Sequence, residues 1–424
     1  MPSSRRDFLR RALAATFAAA PGFRLLAGEK RLYPGWKPGE LDLHFIHTGC
    51  GENCFFRLPD GTAVLNDCGD VTWKENLRYI PLLPDDSRCG GEWVSRYIRS
   101  MYDGDVIDYA VFSHWHADHG GHNQFGKTHP VELYRARKLS DGRSIDGFEC
   151  VAEDFRIAHH IDHEWPNWGK YKTFDSSFHH VRDWVNAHRA EGLTSVALKP
   201  GALNQIALQH EPEKYPEFSV RTICANGRLW DGRKGVVDCA AETLKRDPSF
   251  YMNQNILSSA FVYQYGKFRF FTGGDVCGHF LKGAGEKYDY EELVGRMAGK
   301  VTVCKSNHHG CSDAMSKGFL RHVQAQTYIS CIWGPGQVCG DSLYRMTSRA
   351  IHPDFDPLVL PTMLPGHHAA RWSGQSIMKR IPWQCAQGVH VVVKVFEGGE
   401  RYRIYLLDAG DEHREVLATF DREA

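Results

Sequence analysis

The sequence predicts a mixed α/β (α+β) fold, and three observations carry that prediction. Short apolar runs bounded by Gly, Pro, Asn and Asp recur along the chain, as strands require. Between them lie a few stretches with apolar residues at helical spacing, clearest at Trp93, Tyr97, Ile98 and Met101. Three of the strand-like runs end in side chains able to bind metal ions. Asp108-Tyr109-Ala110-Val111-Phe112 leads into Ser113-His114-Trp115-His116-Ala117-Asp118-His119, Phe268-Arg269-Phe270-Phe271 leads to Asp275, and Val301-Thr302-Val303-Cys304-Lys305 leads to His308-His309.

At 424 residues the chain can bury a large core, and its 42% hydrophobic and 24% charged content is ordinary for a soluble globular protein. Lys plus Arg and Asp plus Glu balance at 51 each, which leaves no overall electrostatic footprint for nucleic acid or an anionic membrane. Stable nucleic-acid binding is therefore not expected, although Arg135-Ala136-Arg137-Lys138 forms a local basic stripe. Thirteen cysteines cannot all pair within one chain, and Cys224, Cys304 and Cys331 sit in strand-like runs where a small buried thiol is expected. The 23 histidines are the compositional excess, and they cluster.

In chain order, Ser4-Arg5-Arg6-Asp7-Phe8-Leu9-Arg10 followed by a short Ala-rich stretch resembles a twin-arginine export signal. Residues 1–27 are expected to be that signal, with the export machinery as a partner, a periplasmic or otherwise exported destination and no membrane span after cleavage. Residues 28–40 read as a Pro/Gly linker. Leu41-Asp42-Leu43-His44-Phe45-Ile46 reads as a first strand, and Cys54-Phe55-Phe56-Arg57 pairs with Ala63-Val64-Leu65-Asn66 over the turn Pro59-Asp60-Gly61. The latter strand ends at Asp67, which could orient a site from behind or cap a turn. Residues 92–102 read as a helix. Residues 125–218 loosen into His-rich, aromatic sequence with one helix over 174–190, and read as an insertion that shapes a substrate pocket or lid. Regular strands resume at Ser219-Val220-Arg221-Thr222-Ile223-Cys224 and continue to a final hairpin over 389–406.

His114 and His116, two apart in extended backbone, point the same way and can grip one ion. Asp118 and His119 cannot share that direction and are free to serve a second. Nitrogen and oxygen donors of this kind suit zinc, manganese or iron. A single sheet edge could add Asp275 and one of His308 and His309; strand alternation does not choose between those two.

With these residues in place, the chain resembles the metallo-β-lactamase superfamily. Asn253-Gln254-Asn255, Phe271-Thr272-Gly273-Gly274-Asp275 and Asn307-His308-His309-Gly310 look most like the hydrolase domain of the competence DNA-uptake protein ComEC. The resemblance spans scattered blocks over residues 41–334 and is silent on 125–218. It implies an αββα sandwich of two mixed sheets flanked by helices, spanning residues 41–345, with 346–424 as a C-terminal extension packed on it. It implies two divalent metal ions, most simply zinc, held by His114, His116, Asp118, His119, Asp275 and His309, with Asp275 bridging. Asp67 matches the family's orienting carboxylate. Asp118 and His308 take the catalytic roles, the first holding a metal-activated hydroxide and the second steadying the scissile group or protonating the leaving oxygen. The implied activity is an exported metal-dependent hydrolase acting on a small-molecule phosphoester or a phosphodiester. The alternatives are hydrolysis of a lactone, β-lactam or carboxylic ester, and a non-catalytic binding protein of the same fold. Many relatives add a histidine to the first site. None of His179, His180, His188, His210, His352, His367 and His368 is placed for it unambiguously, and ComEC-like sequences typically lack this ligand, so the resemblance implies an open first site.

Overall fold

The computed structural model describes residues 23–25, 31–72, 76–121, 136–173 and 177–424. The twin-arginine-like motif and Arg135 lie outside the described residues.

Two large mixed sheets stack face to face. The first has the strand order Phe23–Leu25, Val416–Glu423, Arg401–Asp408, Val389–Val395, Leu41–Phe45, Asn53–Arg57, Ala63–Cys68, Val106–Phe112, Arg156–Asp162 and Thr194–Ala197. The second runs Val236–Asp238, Arg228–Trp230, Phe218–Ala225, Ala260–Tyr265, Phe268–Thr272, Val303–Lys305, Thr327–Ser330 and Leu358–Pro361. Each sheet is antiparallel on one side and parallel on the other. The change comes at Ala63–Cys68 beside Val106–Phe112 in the first sheet and at Phe268–Thr272 beside Val303–Lys305 in the second.

Period-two alternation explains the layering. Phe56 points between the sheets, where its ring lies 5.6 Å from those of Tyr263 and Phe270. Its neighbour Phe55 points outward and joins Leu65, Ala110 and Phe112 under the helices Gly90–Met101 and Gly147–Asp154. On the far side Phe271 packs at 5.3 Å on Phe319 of the helix Lys317–Val323. The result is a helix–sheet–sheet–helix sandwich of two mixed sheets, with its main apolar core between the sheets.

The segment 346–424 contributes Leu358–Pro361 to the second sheet and three strands to the first, where Val389–Val395 pairs with Leu41–Phe45. The stretch that the sequence suggests is loose adds two strands to the first sheet, besides the short pair Arg137–Lys138 and Ser144–Ile145. Arg156–Asp162 pairs in parallel with Val106–Phe112, and Thr194–Ala197 follows it. His159 and His160 interrupt the apolar pattern there, and the buried His160 places its Nε2 3.1 Å from Asp162 Oδ2. The expected helix over 174–190 is Ser177–Arg189, and the helix Gly147–Asp154 lies in the same stretch where none was expected. All thirteen cysteines are free thiols. Among the described residues no helix is long and apolar enough to cross a membrane.

Candidate metal centre

The metal-competent side chains sit where both sheets release parallel strands at one rim. Val106–Phe112 leaves the first sheet at Ser113 and closes into the single turn Ala117–Gly120. The backbone of that turn is pinned from the first sheet, because Glu52 N donates to Asp118 O at 2.7 Å and Asp70 N to Ala117 O at 3.1 Å. Gly69 permits the approach: a Cβ there would lie 1.8 Å from the Asp118 carbonyl oxygen. From the second sheet, Phe268–Thr272 delivers Asp275 and Val303–Lys305 delivers His308 and His309. Both of these histidines take left-handed backbone angles, φ 44° and 54°. This is why strand alternation could not choose between them, and such a conformation costs roughly 1–3 kcal/mol per residue.

Asp275 is the meeting point. Its Oδ2 lies 3.3 Å from His119 Nε2, 3.5 Å from His309 Nε2, 3.7 Å from His114 Nε2 and 3.9 Å from His308 Nε2. Asp118 Oδ2 lies 3.0 Å from His309 Nε2 and 3.6 Å from His119 Nε2. His114 Nε2 and His116 Nδ1 are 2.9 Å apart. Two clusters result, His114/His116/Asp275 and His119/Asp275/His309 with Asp118 beside them, and Asp275 belongs to both.

Behind these donors stands a second layer. Asp67 accepts from Ser113 N at 2.7 Å through Oδ1 and lies 3.1 Å from His119 Nδ1 through Oδ2, which leaves His119 Nε2 facing the cluster. His309 Nδ1 lies 3.0 Å from the Cys331 carbonyl. Glu52 is grouped with the second cluster, yet both its oxygens face Lys305 Nζ, at 2.7 and 2.8 Å, so it supports rather than binds. The same Nζ donates to Gly274 O at 2.8 Å and fixes the backbone next to Asp275. His308 stands at the half-open side, its Nδ1 2.8 Å from Asp313 Oδ1 and its Nε2 3.2 Å from Asn255 Nδ2.

The electrostatics differ across the centre. Burial lowers the pKa of His114, the charge of His119 adds to this, and His116 is lowered by burial too, so both rings offer neutral lone pairs. Burial also opposes a charged His309, but Asp275 and Asp118 outweigh it and hold its pKa at about 10. His119 is raised well above its ordinary value in the same way, against its own burial. Asp275 and Asp118 stay ionised despite burial, each held well down first by His119 and then by His309. The two carboxylates thus favour positive charge at His119 and His309. The donor set fits divalent ions: imidazoles and carboxylates converge, and the buried Asp275 Oδ1 accepts no hydrogen bond among the described residues.

The structure thus brings together His114, His116, Asp118, His119, Asp275 and His309, with Asp67 behind and His308 alongside. Among the described residues, none of His179, His180, His188, His210, His352, His367 and His368 joins a metal-competent group. His180 faces Glu149 at 2.8 Å and His188 faces the Trp184 carbonyl at 2.8 Å. Sequence reasoning missed Glu52, Lys305, Asn255 and Asp313 as parts of the site. A lysine at the end of an apolar strand that leads into a ligand loop was the one available signal, since its charge requires a buried partner.

No protein-family profile matches the chain, and no curated protein matches it. Among solved structures, a mutant of CmlA beta-hydroxylase aligns with TM-score 0.36 and 9% identity, over 76% of this chain and 52% of that one. The chain thus spans about half the length of that protein. The case for a metal centre stands on the sheet topology and the converging donors.

Proposed function

We propose that this chain is a metal-dependent hydrolase, with two divalent ions, most simply zinc, acting on a phosphoester or phosphodiester. One observation carries the reading: a single buried carboxylate oxygen, Asp275 Oδ2, lies within 3.9 Å of four imidazole nitrogens drawn from both sheets. His114, His116 and Asp275 would hold one ion, and Asp118, His119, Asp275 and His309 the other. Divalent ions placed there supply Lewis-acid charge and acidify a water to a pKa near 7.

The chain's own residues do the rest. Asp67 and the Cys331 carbonyl lock the rings of His119 and His309, so no reorganisation is needed during turnover. Asp118, beside His309 and His119, would hold the attacking hydroxide in position. His308, tethered at Nδ1 by Asp313, presents Nε2 beside Asp275, where a leaving oxygen would take up a proton. The substrate class is supported by the likeness of the Asn253-Gln254-Asn255 and Asn307-His308-His309-Gly310 blocks to ComEC. Export to the periplasm is supported by the twin-arginine pattern at Ser4 to Arg10.

Purified protein should carry two ions per chain by elemental analysis and turn over bis-p-nitrophenyl phosphate faster than p-nitrophenyl esters or nitrocefin. Turnover of the last two alone would replace the phosphoester reading with carboxylic ester or β-lactam hydrolysis. A chain without metal or turnover is a binding protein.

A further inference from the structure

The helix Lys317–Val323 begins four residues after Asp313, and on its outer side lies a cavity of about 550 Å³. Lys317, Arg321, Arg345, Arg349 and Arg380 all line it. In a chain whose total charge is zero, five cations share one concavity. Among the described residues a single carboxylate pairs with them: Asp356 lies 2.8 Å from Arg349 and also pairs with Arg380. Arg345 is held in place by carbonyls, donating to Met315 O at 2.8 Å and Ala314 O at 2.9 Å, which satisfies its donors without cancelling its charge. Lys317 and Arg321 are exposed, and among the described residues neither is engaged by a carboxylate.

Clustering like charges raises the free energy of the unliganded protein, and a concave wall focuses the resulting field outward. Guanidinium forks fit phosphate oxygens in pairs, which a lone lysine cannot match. The volume exceeds what an inorganic anion fills and falls in the small-ligand range of roughly 300–1,000 Å³. The rest of the wall is not basic: Ile351 and Ile377 form an apolar floor, and the Tyr344 ring is half exposed at 50%. We infer that this cavity is a binding site for a small organic ligand carrying at least two phosphate charges, its organic part resting on Ile351, Ile377 and Tyr344. None of its basic residues belongs to the metal centre, so the site stands whether or not the hydrolase reading does.

The test is calorimetric titration with ADP, and with adenosine as the uncharged counterpart, at fixed ionic strength. Wild type should bind ADP and not adenosine. Lys317→Ala/Arg321→Ala should weaken ADP binding at least tenfold, while Asp275→Ala, altered only at the metal centre, should bind ADP within about threefold of wild type. Arg321→Glu alone repeats the test with one exposed substitution. The inference is overturned if wild type does not bind ADP. It also falls if Lys317→Ala/Arg321→Ala binds ADP as wild type does, or if Asp275→Ala abolishes binding, which would place the nucleotide at the metal centre. Turnover of bis-p-nitrophenyl phosphate by Lys317→Ala/Arg321→Ala reports on the hydrolase separately.

Discussion

Two groups of buried histidines lie in this protein, and they behave as opposites. At the rim, His114, His116, His119 and His309 converge on Asp118 and Asp275. In the first sheet, His44, His47 and His390 sit together, with His47 N donating to His390 Nδ1 at 3.0 Å and His44 Nδ1 2.9 Å from the Tyr97 hydroxyl. Apart from the partly exposed His116, all of these rings are buried. The difference lies in which carboxylates a lysine has already claimed. Asp42, 3.8 Å from His44, is taken by Lys394 Nζ at 2.9 Å. At the rim Lys305 takes Glu52 instead, and among the described residues no lysine or arginine pairs with Asp118 or Asp275. Of the two groups, only the one at the rim keeps carboxylates that no described lysine or arginine holds. A buried histidine becomes a plausible metal ligand through uncommitted carboxylates, not through burial.

The largest effect should come from removing one of those carboxylates. Asp275→Ala should empty both halves of the centre and lower kcat/KM on a phosphodiester by on the order of 10³-fold or more. The His44–His47–His390 group should be untouched, with the thermal unfolding of chelator-treated protein changed little. Two ions per chain retained in Asp275→Ala, by elemental analysis, would break the comparison at its root.

Next come the lysines. Lys305→Met leaves Glu52 buried without a lysine or arginine partner, and Lys394→Met does the same to Asp42, so each should cost roughly 3–5 kcal/mol in denaturant unfolding. Glu52→Gln/Lys305→Met should recover much of its loss. Only Lys305→Met should also reduce metal affinity, because only that lysine fixes the Gly274 carbonyl beside Asp275. Equal metal loss in the Lys394→Met protein would contradict the distinction.

Acid should act on the sheet group. Burial keeps His47 neutral, with its pKa lowered to about 4. The unfolded chain takes up a proton at that residue below about 6.5, whereas the folded protein does not until about 4. Stability is therefore lost as pH falls through this window, by at most about 3 kcal/mol from His47. His47→Gln should flatten the pH profile of denaturant unfolding between 6.5 and 4 without altering metal content. A profile as steep as that of wild type would show that the acid loss arises elsewhere.

What the sequence disclosed follows the same physics. The six donors are legible because HxHxDH, GGD and NHHG concentrate metal-binding side chains where apolar runs end, and strand ends gather at sheet edges. The strands around them are legible because burial on one or both faces demands Val, Ile and Phe. Arg156–Asp162 was not, because two histidines stand where an apolar run would be read. Glu52 and Lys305 were not, because a partnership across 253 residues leaves no local pattern at either end. His308 against His309 was undecidable, since the left-handed turn that separates their roles is imposed by packing.

The smallest of these effects concerns Asp67, which could have been a turn cap. Both its oxygens are engaged at the rim, one by Ser113 N and the other beside His119 Nδ1. Asp67→Asn keeps the shape and an oxygen for Ser113 N, but it removes the negative charge that favours a proton on His119 Nδ1 and directs Nε2 at the metal. Such second-layer changes cost about 10–100-fold in metal affinity. The loss should fall on the ion held by Asp118, His119 and His309, and spare the one held by His114 and His116. Competition titrations against a chromophoric chelator would resolve the two ions. Unequal weakening separates the halves of the centre as the geometry does, whereas equal weakening of both would mean that Asp67 acts on the Ser113 loop as a whole.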